Sequence, residues 1–139
     1  MNGKGTLIAV HPVLFSSDPG VSVRFFTDLG FSVIFRDRRD APRYVGIARD
    51  GVELHLQGSD VPRNWVGDKP VYRFLVLDVD NLYREIEAAG VLTPQNNGVS
   101  PWAKPGNTPW GTKEFHLRDP DGNGLQFYQI SGVALRVDA

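Results

Sequence analysis

The stretch from Pro109 to Asn123 has the sequence PWGTKEFHLRDPDGN. Its last part, Asp119–Asn123, contains the aspartate, proline and glycine that a tight turn between strands requires. Residues 113–117 before the turn and 124–130 after it have the composition of short strands. The stretch therefore predicts a β-hairpin near the C-terminal end of the chain.

A similar series of signals occurs twice along the chain. Asp18 and Gly30 are twelve residues apart, and Asp78 and Gly90 have the same spacing. An aspartate before a helix and a glycine after it are typical end signals, and Pro19 suits the first helical turn. The spacing predicts two similar modules, residues 7–57 and 71–131, joined by a linker over 58–70 that is rich in proline, aspartate and glycine.

Each module is expected to follow the order strand, helix, strand, strand, strand. In the first module, Val21, Phe25 and Leu29 are spaced to form one apolar helical stripe. In the second, we expect Asp80 to cap a helix that carries Leu82 and Ile86 on one face. The predicted strands are 7–15, 31–36, 44–48 and 52–57 in the first module, and 71–77, 113–117 and 124–130 in the second. Pro12 lies within the first of these, so that strand is expected to be an edge or to be bulged.

The composition excludes several classes of protein. The chain has 139 residues, no cysteine and a formal net charge of −1. Without cysteine there is neither a disulfide framework nor a thiolate metal site, and the balanced charge gives no reason to expect nucleic acid as a partner. No apolar run is long enough for a membrane helix, and Met1–Gly5 lacks the apolar core of a signal peptide. We expect a single cytoplasmic domain that binds neither nucleic acid nor membrane.

Residues 93–112 form the one long irregular stretch. Loops of this length are uncommon in compact domains and are often functional. Trp102 and Trp110 lie in it, each preceded by a proline. Either the two tryptophans cover an edge of the core, or they are aromatic walls of a binding loop that proline holds partly ordered.

Two motifs in this plan resemble the vicinal oxygen chelate superfamily, which includes glyoxalases, bleomycin resistance proteins and dioxygenases. FFTDLGF over 25–31 is similar to the end of the family's first helix, and DPDGN over 119–123 is typical of the superfamily. PWG followed by EF and LRDP is similar to the bleomycin resistance branch. The resemblance implies an α+β fold of two paired β-α-β-β-β modules whose mixed sheets curl around a cavity.

The strand over 52–57 alternates strictly between apolar and polar residues. Val52, Leu54 and Leu56 are expected to pack on the helix, which leaves Glu53, His55 and Gln57 on the cavity face. His55 is then either a hydrogen-bonding residue of the cavity wall or a partly exposed strand residue.

The resemblance also locates a possible metal site. In the superfamily's enzymes, His, Glu or Gln side chains from four strands hold a divalent metal. His11 and Glu53 match two of these positions and Gln126 stands at a third, but Val71–Phe74 offers no ligand and Arg73 adds positive charge. We therefore expect no metal and no other cofactor, with His11, Glu53 and Gln126 as the fallback set. His11 could instead pack beside Pro12, and His116 is expected to be structural.

The branch implies that the protein is not an enzyme. Its members sequester bleomycin, a large cationic molecule with a planar tail, in aromatic grooves of a homodimer. The expected ligand-binding residues are Phe35, Glu53, His55, Tyr72, Trp102, Trp110 and Phe127. The near-neutral charge leaves the ligand open between bleomycin and another small planar aromatic molecule. The alternative function is a metal-dependent glyoxalase or dioxygenase, and a structural or regulatory dimer is a third possibility.

Overall fold

A computed structural model describes residues 5–58, 69–98 and 100–131. Nearly all of the predicted linker 58–70 lies outside the described residues. The first half contains β1 (Val13–Ser16), α1 (Pro19–Asp28), β2 (Ser32–Arg36), β3 (Tyr44–Arg49) and β4 (Val52–Gly58). The second half contains β5 (Val71–Leu75), α2 (Val79–Ala88), α3 (Pro94–Asn97), β6 (Gly106–Asn107), β7 (Thr112–Arg118) and β8 (Gly124–Ile130).

The strands form two four-stranded sheets with the same topology. Their orders are β1-β4-β3-β2 and β5-β8-β7-β6. In each sheet the first strand of the module lies at the edge and pairs in parallel, β1 with β4 and β5 with β8, whereas the other pairs are antiparallel. The sheets are therefore mixed, and the α+β prediction with two β-α-β-β-β modules is confirmed. The short helix α3 and the two-residue strand β6 divide the predicted irregular stretch 93–112.

Both long helices begin at an aspartate and end before a glycine. Asp18 Oδ1 accepts hydrogen bonds from the Gly20 and Val21 amides, and Asp78 Oδ1 accepts one from the Asn81 amide. The prediction that Asp80 caps the second helix was wrong. Asp78 has the extended backbone that a cap requires, so the helix begins two residues earlier.

The predicted stripe of the first helix was also shifted. Phe26 and Leu29 are completely buried with Ser22, whereas Val21 is exposed. These side chains pack in one hydrophobic core that both modules share, since residues of both sheets and both long helices belong to it. The most deeply buried members are Leu14, Phe26, Val45, Leu56, Val79, Phe115 and Leu125.

The first strand is shorter than predicted. It begins at Val13, directly after Pro12, because proline has no N–H with which to extend the ladder. Pro12 itself still accepts a hydrogen bond from the His55 amide, and β1 is an edge strand as expected. Leu7, Ile8 and Val10 precede it and are almost fully exposed. Among the described residues, no helix has the length and apolar character that crossing a membrane requires.

Candidate functional site

Each sheet turns one face to the core and carries polar side chains on the other. We call the first polar face the side of the β1–β4 sheet that carries Glu53, His55, Tyr44 and Phe35. The second polar face is the side of the β5–β8 sheet that carries Arg73, Glu114, His116, Gln126 and Tyr128. The strict alternation along β4 and β7 produces both faces, because every second side chain points away from the core.

The first polar face holds two histidines around one carboxylate. Glu53 Oε2 lies 2.6 Å from His55 Nε2, and Glu53 Oε1 lies 3.5 Å from His11 Nε2. The other ring nitrogen of His55 is 2.8 Å from the Tyr44 hydroxyl. The ligand atoms of His11, Glu53 and His55 all lie within 4.8 Å of one another. His55 thus makes hydrogen-bonding contacts on this face, and His11 contacts Glu53 and the His55 ring.

Phe35 closes this group on one side. Its ring is 5.1 Å from that of His55 and 6.1 Å from that of Tyr44. The ring lies directly over Gly46, where an added Cβ atom would clash with Phe35 Cε2. Glycine at this position is therefore what allows Phe35 to lie flat beside the two polar rings.

A fully buried carboxylate organises the second polar face. Glu114 has an exposed fraction of 0%. It accepts hydrogen bonds from the Arg73 guanidinium at 2.9 and 3.3 Å, from the Thr112 hydroxyl at 2.6 Å and from the Trp110 indole at 3.0 Å. Its Oε2 also lies 2.6 Å from His116 Nε2. Burial opposes ionisation, but these hydrogen bonds outweigh it and lower the pKa of Glu114 to about 2.

Arg73 makes contacts with several residues of this face. Besides the two bonds to Glu114, it donates to Gln126 Oε1 at 2.6 Å. Its guanidinium carbon lies 4.2 Å from the centre of the Tyr128 ring, a favourable cation–π distance. The positive charge of Arg73 is thus matched by Glu114.

The two predicted tryptophans lie together at the end of this face. Their ring centres are 5.2 Å apart in an edge-to-face arrangement, and Trp102 also contacts the His116 ring. Trp110 remains 54% exposed although its indole N–H is fixed on Glu114. An exposed ring with a fixed orientation is the kind of surface on which a planar molecule stacks.

A cavity of about 270 Å³ lies beside His116, whose ring contacts Trp102. Its walls include Ser100, His116, Gln126 and Arg118, together with amide side chains of α3. His116 is thus part of a cavity wall, in addition to the structural contacts predicted for it.

The predicted ligand-binding residues fall into three groups. Phe35, Glu53 and His55 lie on the first polar face, and Trp102 and Trp110 lie on the second. Tyr72 and Phe127 lie on the core side of their sheet instead. The Phe127 ring is only 5% exposed, stacked between Phe74 and Phe115, and the Tyr72 hydroxyl donates to the Val13 carbonyl.

Sequence reasoning missed Tyr44, Ser100 and Glu114 as residues of these faces. One signal was available for Glu114, because Glu-X-His occurs both at 53–55 and at 114–116. In a strand this spacing places the two side chains next to each other on one face. No comparable signal marks Ser100, which reaches His116 through the conformation of a loop.

The superfamily's four-strand metal site does not fit the second module. The residue of β5 that pairs with Gln126 is Arg73, a cation, and it occupies the Gln126 oxygen that would have to bind the metal. The first module offers a different set, in which His55 joins His11 and Glu53. Two imidazoles and a carboxylate suit Zn²⁺ or Fe²⁺.

Two mixed sheets that share one core, each with an open polar face, define a fold of the vicinal oxygen chelate type. A sequence profile of the Glyoxalase/Bleomycin resistance protein/Dioxygenase superfamily matches residues 8–127, and the chain belongs to this superfamily.

The relatives support the bleomycin resistance branch. A bleomycin resistance protein of Geobacillus stearothermophilus is 27% identical over 134 residues, which cover 85% of this chain and 93% of the relative. A bleomycin resistance protein of Staphylococcus aureus matches equally well.

Solved structures agree with this placement. A bleomycin-binding protein complexed with bleomycin superposes with a TM-score of 0.71 at 23% identity, over 88% of this chain and 98% of the other. The bleomycin-binding protein of Streptomyces verticillus, complexed with copper(II)-bleomycin, superposes with a TM-score of 0.64 at 28% identity, over 94% and 100% of the two chains.

Proposed function

We propose that the protein binds a planar, bleomycin-type small molecule and confers resistance in the cytoplasm by sequestering it, without chemical change. The observation that carries this proposal is the exposed Trp110 ring, which a buried carboxylate holds beside Trp102. The names of the relatives support a role in resistance, and two of the solved relatives contain bleomycin.

Stacking suits such a task because a rigid ring buries a large area at little cost in conformational entropy. Trp110 needs no reorientation before it contacts a ligand, since Glu114 already fixes its indole. The charge of the second polar face is balanced, with Arg73 paired to Glu114. Affinity on this face would therefore come from stacking more than from attraction of a cation.

Titration with metal-free bleomycin and with copper(II)-bleomycin tests the proposal. We expect tryptophan fluorescence to change in a saturable way at micromolar ligand, with a matching heat in calorimetry. The variant Trp110→Ala should bind at least about tenfold more weakly, as expected for the loss of an aromatic anchor. Trp110→Phe keeps a stacking surface and serves as the matched variant. Absence of both signals in the folded wild-type protein would rule the proposal out.

We propose further that the protein acts as a homodimer. Leu7, Ile8 and Val10 form an apolar arm that precedes β1 and is almost fully exposed. A groove of about 600 Å³, with Val52, Leu75 and other apolar side chains in its walls, is open on the same chain. Apolar surface of this extent usually marks an interface, and a second copy of the chain would cover both.

The mass in solution tests the dimer. Light scattering coupled to size exclusion should give twice the mass of the chain for the wild type. Ile8→Asp introduces a charge into the proposed interface and should shift the equilibrium to the monomer, whereas Ser32→Asp, at an exposed position of β2, should leave the dimer intact. A monomeric wild type at micromolar concentration would contradict this part of the proposal.

A metal-dependent enzyme of the same superfamily is the second candidate. The observation that favours it is the cluster of His11, Glu53 and His55 on the first polar face. A bound divalent ion would act there as a Lewis acid, and the Tyr44 hydroxyl would orient His55 through its other ring nitrogen. Metal analysis of protein purified without chelator tests it. Stoichiometric metal that is lost in His55→Gln would favour this candidate over simple sequestration.

A further inference from the structure

Three side chains from two segments form a continuous relay on the second polar face. Ser100 Oγ lies 3.0 Å from His116 Nδ1, and His116 Nε2 lies 2.6 Å from Glu114 Oε2. Ser100 belongs to the loop after α3, whereas the other two residues alternate along β7. Two hydrogen bonds from this loop and α3 fix the contact, from the His116 amide to the Trp102 carbonyl and from Asn97 Nδ2 to the His116 carbonyl.

The carboxylate determines which histidine nitrogen carries the proton. Glu114 is buried and ionised, so its oxygens can only accept hydrogen bonds. The hydrogen of a neutral His116 ring must therefore lie on Nε2, which leaves the lone pair of Nδ1 facing Ser100. A base held in one tautomer by a carboxylate, with a hydroxyl at its other nitrogen, is the arrangement that activates a serine nucleophile.

A second hydrogen bond orients the Ser100 hydroxyl for the same role. The Trp102 backbone amide donates a hydrogen bond of 2.9 Å to Ser100 Oγ. This donor occupies one lone pair of the oxygen, which directs the hydroxyl hydrogen towards His116. It also stabilises negative charge as the oxygen loses its proton.

The relay opens into the cavity of about 270 Å³, whose walls include Ser100, His116 and Gln126. Arg73 occupies Gln126 Oε1, and no described residue bonds to the Nε2 end of that amide. Gln126 Nε2 is therefore available to donate a hydrogen bond to an oxyanion. The cavity has room for a small acyl group but not for a large glycopeptide.

From this geometry we infer that Ser100, His116 and Glu114 form a nucleophilic site for acyl transfer from small carboxylic esters. Ser100 Oγ bonds to the ester carbonyl carbon while its proton passes to His116 Nδ1. The bond to the alcohol oxygen then breaks, and the same proton leaves with the alcohol. Water attacks the acyl-serine in the second half, gives a proton to His116, and releases the carboxylic acid as that proton returns to Ser100.

The direct test is covalent labelling of the wild-type protein with a fluorophosphonate, followed by peptide mapping of the modified residue. We expect one adduct per chain, on Ser100. Hydrolysis of p-nitrophenyl acetate should show a burst of one equivalent, and His116→Gln should slow labelling about 100-fold or more, as loss of a general base does. Ser100→Ala should abolish both signals.

Ser32→Ala is the matched control, because Ser32 is an exposed serine of β2 that lies far along the chain from the relay, and it should be labelled at the wild-type rate. An adduct on another serine, or no adduct in wild-type protein that retains its folded circular dichroism spectrum, would overturn the inference. The bleomycin titration is independent of this outcome, since it depends on Trp110 and needs no nucleophile.

Discussion

The two Glu-X-His pairs make the same local contact in opposite surroundings. In both, a glutamate oxygen lies 2.6 Å from histidine Nε2, and a hydroxyl lies at Nδ1, that of Tyr44 at 2.8 Å and that of Ser100 at 3.0 Å. Their strands differ in position. The first pair is on β4, which runs parallel to the edge strand β1, whereas the second is on β7, which runs antiparallel to the edge strand β6.

Burial and a cation account for the difference between the pairs. The Glu53 side chain is 28% exposed, and a second histidine approaches it, so its oxygens remain accessible to a metal ion. The Glu114 side chain is fully buried and shares its oxygens among Arg73, Thr112, Trp110 and His116. The same Glu-X-His spacing can thus supply accessible metal ligands in one module. In the other it supplies a buried carboxylate that orients aromatic and nucleophilic side chains.

Removal of each carboxylate should separate the two roles most strongly. We expect Glu114→Ala to lower the free energy of unfolding by about 2 to 4 kcal/mol, because it removes the buried acceptor that Thr112, Trp110 and Arg73 share. Glu53→Ala removes a partly exposed carboxylate and should cost about 1 kcal/mol or less. Urea denaturation of both variants measures the difference. Equal losses would mean that the second pair is not the scaffold described here.

Acid should next test the buried carboxylate of the second pair. Folding lowers the pKa of Glu114 from 4.5 to about 2, so the folded state holds this proton more weakly than the unfolded state. The contribution, about 3 kcal/mol, is complete above pH 4.5 and is lost as the pH falls through 2.

The unfolding free energy of Glu114→Gln should therefore fall less than that of the wild type between pH 5 and 2. Asp119, whose pKa burial raises to about 6, is present in both proteins and cancels in the comparison. Parallel curves for Glu114→Gln and wild type would contradict the assigned pKa shift.

Substitution of the glycines beneath the aromatic side chains of each face should change stability least. In Gly46→Ala the new methyl group meets the Phe35 ring, so we expect a loss of about 1 to 3 kcal/mol and displaced Phe35 resonances in NMR spectra. In Gly106→Ala the nearest atom is Trp102 Cδ1 at 3.3 Å, which leaves more room. That variant should lose less stability, and the reverse order would show that Phe35 does not rest on Gly46.

Much of the fold could be predicted from local chemistry. The helix ends at Gly30 and Gly90, the turn over 119–123 and the alternation along β4 each depend on neighbouring residues, and each is confirmed. The capping residue of α2 was misplaced because Asp78 and Asp80, two residues apart, are both suitable caps. The start of β1 was misplaced because Pro12 ends the hydrogen-bonded ladder. Apolar composition alone did not reveal where the ladder would end.

The site was predictable only in part. Periodicity placed Glu53 and His55 on one face, and the loop composition selected Trp102 and Trp110. Neither signal showed that Tyr72 and Phe127 face the core, because a strand buried on one side carries aromatic residues on both faces. The contacts of Glu114 with Arg73 and of Ser100 with His116 join distant segments, and only the folded chain brings them together.

Calorimetric titration of the wild type and Trp110→Ala with bleomycin tests the central claim most directly. The account predicts saturable binding by the wild type at micromolar ligand and binding at least about tenfold weaker for the variant. Equal affinities, or no heat from a folded wild-type protein, would contradict the claim that the second polar face is a stacking site for a planar ligand.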